Sequence, residues 1–120
     1  MKIEKKSLGP DLVLVVLDGR LDIGGAAQVE PEFKAACAEA QVLLVDLSGT
    51  PFMASIGIRL LLAGAKGLHR KGGVMRLFAC DPQVEKVLRA TGVDQLVSIY
   101  GTRDEALAVA GVSPASPTAT

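Results

Sequence analysis

Short runs of aliphatic residues recur along the chain, each followed by a stretch of helical spacing, and few folds accommodate that alternation. Asp11 to Leu17 contains Leu12-Val13-Leu14-Val15-Val16-Leu17, an unbroken apolar run of strand length. Such a run suits a strand covered on both faces. Val42 to Leu47 and Val74 to Ala79 repeat the signature, and Leu96 to Tyr100 makes a last short strand. Strands alternating with helices imply right-handed crossovers and a mostly parallel sheet. Upstream, Gly9-Pro10 reads as a turn, so Lys2 to Leu8 is expected to fold back as an edge strand with its lysines facing water. The predicted class is α/β: a mixed, mostly parallel sheet of four to five strands with about four flanking helices.

The helices follow from apolar periodicity and stop signals. Ala26, Val29, Phe33, Ala36, Cys37 and Ala40 fall at helical spacing, but Pro31 interrupts them. Proline is comfortable in a first helical turn, which places the regular helix near Glu30 onward. Ser55 to Arg70 carries Ile58, Leu61, Leu62, Ala65 and Leu68 on one stripe, and Gly72-Gly73 ends it. Asp81-Pro82 is a helix start, an N-cap acceptor followed by a residue with no N–H, and the helix runs to about Ala90 before Gly92. Thr102 to Ala110 makes the final helix. The small, polar, Pro-containing stretch after it predicts one domain over 1–111 and a loose tail over 112–120.

Composition removes several function classes. Thirteen basic residues balance thirteen acidic ones, and there is no Trp, one Tyr and three Phe. Neither a long-range pull toward phosphate backbones nor a stacking platform is present, so nucleic acid is not an expected partner. Cys37 and Cys80 stand far apart with no C-x-x-C, which indicates no zinc site or redox motif and fits two thiols in a reducing cytosol. No apolar run approaches the roughly 18 residues of a spanning helix, and Met1 to Lys6 leads into no signal core. A cytoplasmic protein without membrane contact is expected. No P-loop, G-x-G-x-x-G or G-x-S-x-G occurs, and the single His69 sits among Lys66, Arg70 and Lys71 as a surface residue. Enzyme activity, a cofactor and a metal are therefore not expected.

In such sheets partners meet the loops at the carboxyl ends of strands. Two stand out here: Arg20-Leu21-Asp22, and Phe52-Met53-Ala54-Ser55-Ile56-Gly57-Ile58-Arg59. Ser55 lies at the mouth of a long helix, where N–H groups are unpaired and the macrodipole favours negative charge. Two roles fit it: capping the helix as a neutral hydroxyl, or carrying a phosphoryl group that those N–H groups partly solvate. Arg59, four residues on, shares the face of Ser55 and is either a solvated side chain or a partner for an anion. Phe52 and Met53 belong either to an apolar contact patch or to the core. Asp22 is either a cap for the next element or a contact residue.

Val45-Asp46-Leu47-Ser48, a short loop and then Phe52-Met53-Ala54-Ser55-Ile56-Gly57 resemble the phosphorylation loop of the STAS-domain anti-sigma factor antagonists. Gly19-Arg20-Leu21-Asp22 upstream and Val87-Leu88-Arg89-Ala90-Thr91-Gly92-Val93 downstream resemble the same family, in order, over about Val13 to Ala110. The resemblance implies the STAS fold and a phosphoacceptor at Ser55. It also implies a partner contact at Asp22, and the expected contact surface comprises Asp22 with Phe52, Met53, Ala54, Ile56, Gly57 and Arg59 of the second loop and helix start. Its implied partners are an anti-sigma factor with serine kinase activity, bound when Ser55 is free and released on its phosphorylation, and a PP2C-type phosphatase. A monomer or weak dimer is implied. Ala54 stands where the family usually has Asp, and Ile56 where it has a second hydroxyl residue. The alternative within the same resemblance is a constitutive interaction subunit, unphosphorylated, of a lipid-transport ATPase system or a signalling complex.

Overall fold

A computed structural model describes residues 1–108. Its elements run β1 (Lys2–Gly9), β2 (Leu12–Asp18), α1 (Ile23–Glu39), β3 (Val42–Gly49), α2 (Ser55–Arg70), β4 (Val74–Phe78), α3 (Pro82–Ala90), a 3-10 turn (Val93–Gln95), β5 (Ser98–Tyr100) and α4 (Arg103–Ala108). The strands form one five-stranded sheet in the order β1-β2-β3-β4-β5. β1 pairs antiparallel with β2, Ile3 opposite Leu17, and every later pair is parallel, with Val15 beside Val45 and Val45 beside Leu77. The sheet is mixed and mostly parallel, as the sequence predicts.

Because the strand order never reverses, right-handed crossovers carry α1, α2 and α3 to the same face. Val13, Val15 and Leu17 of β2, Leu43, Val45 and Leu47 of β3, and Met75 and Leu77 of β4 point into that face. There they pack on Phe33 of α1, Leu61 and Leu68 of α2, and Leu88 of α3. Each such side chain withdrawn from water stabilises the fold by about 1.5–3 kcal/mol. The alternate residues Leu14, Leu44 and Phe78 fill a smaller core on the opposite face with Ala106 of α4. Two-sided burial is what the unbroken apolar runs encode.

The helical boundaries correct the sequence reading in three places. α1 starts at Ile23, not near Glu30, and holds Pro31 within it. Pro31 is exposed, so the carbonyl left without its N–H faces water, while Ala26 and Val29 before it and Phe33 after it continue one buried stripe. The last strand is shortened to Ser98–Tyr100 because the chain first makes a 3-10 turn after Gly92, which takes the left-handed conformation at φ 81°. α4 begins at Arg103, behind Thr102, whose N–H donates to Glu105 Oε1 at 3.0 Å while Thr102 Oγ1 accepts from the Glu105 N–H at 3.2 Å. The expected end of that helix at Ala110 and the tail over 112–120 lie outside the described residues.

Candidate functional site

Parallel pairing of β2 and β3 brings the loops that leave them side by side, and the backbone stitches them together. Gly19 N donates to the Gly49 carbonyl, Leu21 N to the Phe52 carbonyl and Ala54 N to the Leu21 carbonyl, each at 2.9 Å. Leu21 and Met53 form a parallel bridge, so the two loops continue the sheet for one more step. Thr50 anchors them from below: it is fully buried and its hydroxyl donates to the Leu17 carbonyl at 3.0 Å. The Leu21 and Met53 side chains are buried in the main core.

On this platform sit two helix starts. In α1 the N-cap is Asp22, whose Oδ1 accepts from the Gly25 N–H at 2.8 Å. Gly25 lies so close to the loop that a Cβ there would stand 2.1 Å from the Arg20 carbonyl oxygen. In α2 the N-cap is Ala54, with no side-chain hydrogen bond to the helix and no acidic residue in the first turn. Gly57 seats this helix on Leu21, where a Cβ would lie 2.6 Å from Leu21 Cγ. Gly57 N reaches the Ala54 carbonyl at 2.9 Å; the N–H groups of Ser55 and Ile56 have no backbone acceptor among the described residues. Ser55 is exposed and is the first residue inside the helix, one position past the cap. The neutral-cap role that spacing allowed it is thus not the one it plays: the cap position belongs to Ala54.

Around Ser55 the surface is apolar with a cationic edge. Three of the five large apolar side chains exposed among the described residues, Ile23, Phe52 and Ile56, are at this end of the molecule, and Ile23 is 78% exposed. The Arg20 guanidinium lies over the Phe52 ring, 4.2 Å from its centroid, and 3.8 Å from Asp22 Oδ2. Arg59 is exposed one turn into α2.

Of the contact residues expected from the sequence, Phe52, Ile56 and Arg59 present side chains to solvent beside Ser55, with Ala54 half-buried at the helix start and Asp22 held partly in its capping bond. Met53 and Gly57 are corrected. Met53 is 6% exposed because its loop pairs with Leu21, and Gly57 is buried because it is the contact point of α2 on that residue. Both position the face without offering a side chain to it. Arg20 and Ile23 were not among the expected contacts. Ile23 carried a signal, being a large apolar residue set between the Arg20-Leu21-Asp22 loop and Gly24-Gly25.

Titratable chemistry is sparse here. Burial pushes the Cys37 and Cys80 thiols up to about 11, so both stay protonated at neutral pH and are poor nucleophiles. Both cysteines are free, and His69 is exposed. Among the described residues no group of three His, Cys, Asp or Glu side chains could hold a metal ion, and no helix is long and apolar enough to cross a membrane. The arrangement is suited to contact, with one hydroxyl at its centre.

The sequence matches the STAS domain family over residues 3–106. An anti-sigma F factor antagonist from Paenibacillus polymyxa is 28% identical over 98 residues, 80% of this chain and 84% of that protein. A proposed anti-sigma factor antagonist from Thermotoga maritima superposes with a TM-score of 0.82 at 22% identity, covering 91% of this chain and 94% of that one. The anti-sigma factor antagonist SpoIIAA in its unphosphorylated form gives 0.78 at 23% identity, covering 92% and 98%. The phosphorylated form of that Bacillus protein gives 0.70 at 21% identity, covering 89% and 97%. At these identities the solved structures carry the fold.

Proposed function

This chain belongs to the STAS domain family, and on that premise we propose that it is an anti-sigma factor antagonist whose docking face is switched off by phosphorylation of Ser55. The observation that carries the reading is an exposed hydroxyl at the first position of a helix whose N-terminus has no side-chain cap, surrounded by Ile23, Phe52 and Ile56. The curated relative named for this activity supports the choice of partner. Unphosphorylated, the domain binds a kinase-type anti-sigma factor and so frees a sigma factor. It acts in the cytoplasm by binding, without catalysis of its own, and a PP2C-type phosphatase resets it.

The physics of the switch has two parts. A neutral hydroxyl amid apolar side chains loses little when a partner covers it, whereas a phosphoryl group of about −2 charge must be stripped of water in the same place. The free N–H groups of Ser55 and Ile56 and the positive end of α2 stabilise that dianion on the domain itself, with Arg59 on the same helical face. Modification is thus tolerated by the free domain and opposed by the complex. Phe52, Ile56, Arg59 and Asp22 form the contact surface, and Ala54 deprives the kinase of the carboxylate usual at that position.

Incubation with the co-encoded kinase-type anti-sigma factor and ATP, followed by mass spectrometry, tests this. One added phosphoryl group, localised to Ser55 and absent from Ser55→Ala, is the expected result. Stable binding to that partner with no added mass would overturn the switch and leave a constitutive interaction subunit in its place.

A further inference from the structure

Between α1 and α2 runs an open groove of about 790 Å³. Phe33 and Cys37 form its floor, and Ala27, Ala63, Gly64 and Gly67 its walls. At Gly64 the helices touch closely, a Cβ there meeting Cys37 Sγ at 2.8 Å and Phe33 Cε2 at 2.9 Å, whereas a Cβ on Gly67 would meet no atom of the described residues within 4 Å. The groove is therefore closed below and unfilled above. Its two ends are cationic. Arg59 marks one and forms no ion pair with an acidic side chain among the described residues. Lys71 marks the other, its Nζ donating to the Cys37 and Ala38 carbonyls at 2.8 and 2.7 Å. Along the rim Glu30 is matched by Lys34 at 3.3 Å, which leaves the cations at the ends in excess.

We propose that this groove receives an amphipathic helical segment of a protein partner, with an apolar stripe at i, i+3, i+4 and i+7 and an acidic residue near each end. Arg59 and Lys71 are separated by about 18 Å along α2 at the rise of an α-helix, a little over three turns. A stripe of about 10 Å from i to i+7, flanked by carboxylates two or three residues beyond each end, matches both the small-residue walls, which take protruding Leu or Phe side chains, and the two separated cations. A fatty acid has one charged end and leaves the second cation unmatched. Ile23 and Ile56 line the groove where it opens beside Ser55, so the groove continues the docking face. The inference rests on the switch reading only for which protein brings the helix.

The test uses synthetic peptides and is independent of phosphorylation. Two fluorescein-labelled helical peptides share one Leu stripe; one carries Glu near both ends and the other Lys. The Glu peptide is expected to bind saturably and at least tenfold more tightly than the Lys peptide, with the difference shrinking as salt rises. Gly67→Leu, whose side chain enters open space inside a helix, should weaken the Glu peptide at least tenfold while the melting temperature stays the same or rises. Arg59→Glu leaves the packing alone and should narrow the preference between the peptides. Equal binding of both peptides, indifference to both substitutions, or saturable binding of dodecanoate without binding of the Glu peptide would overturn the proposal.

Discussion

The two helices that start on the site's platform begin almost alike and end their first turn on opposite terms. α1 opens with Asp22-Ile23-Gly24-Gly25 and α2 with Ala54-Ser55-Ile56-Gly57. In each, the third residue after the cap is a glycine pressed against the Arg20-Leu21 loop. In α1 a carboxylate fills the cap and supplies the negative charge that a helix N-terminus favours. In α2 an alanine leaves it empty, with a hydroxyl one residue further in. α3 repeats the α1 solution, Asp81 Oδ1 accepting from the Gln83 N–H at 2.9 Å. A vacant cap forgoes roughly 1 kcal/mol that Asp, Asn, Ser or Thr supplies elsewhere. The difference marks α1 as a start completed within the domain and α2 as one left open, where the proposed phosphoryl group on Ser55 would supply the negative charge.

Substitutions can break this comparison. Gly25→Ala sets a methyl against a backbone oxygen that moves only with the whole loop, and a loss of about 3 kcal/mol or more is expected in denaturant unfolding. Gly57→Ala meets the buried Leu21 side chain and should cost somewhat less, about 1–3 kcal/mol. Asp22→Ala removes a working cap and should cost about 1 kcal/mol, visible as a lower denaturant midpoint at unchanged slope. Ala54→Asp supplies the missing cap and should gain up to about 1 kcal/mol, while setting a competing carboxylate against the phosphoryl position. Ser55→Ala should change stability by no more than about 0.5 kcal/mol, because Ser55 is exposed and does not cap. Loss on Ser55→Ala matching that of Asp22→Ala would mean the two helix starts do not differ as described.

The strands and their two-sided burial are legible in the runs Leu12 to Leu17 and Val42 to Leu47, because covered strands need no polar alternation. Ser55 at the mouth of α2 is legible for a local reason too, a hydroxyl between loop chemistry and a helical stripe. What escaped depends on contacts distant in sequence. Gly24-Gly25 reads as loop, since glycine is a poor helix former, yet Gly25 is there because the Arg20 carbonyl leaves no room for a side chain. Met53 reads as core more readily than as contact, and the pairing of its loop with Leu21 is what turns it inward. Arg76 is a further case. A charged residue midway along a strand suggests a wet face, but its side chain is 7% exposed on the face covered by α4, near Tyr100. Burial pushes its guanidinium pKa down, and Nη1 has no hydrogen-bond partner among the described residues. No local pattern announces that.

The most direct test of the vacant α2 cap as a switch is the affinity for the kinase-type anti-sigma factor, measured by calorimetry with the domain unphosphorylated and then stoichiometrically phosphorylated on Ser55. Binding about a hundredfold weaker after modification is predicted, the size of a desolvated like-charge or unpaired-charge penalty of roughly 3 kcal/mol. Equal affinity of the two forms would contradict it.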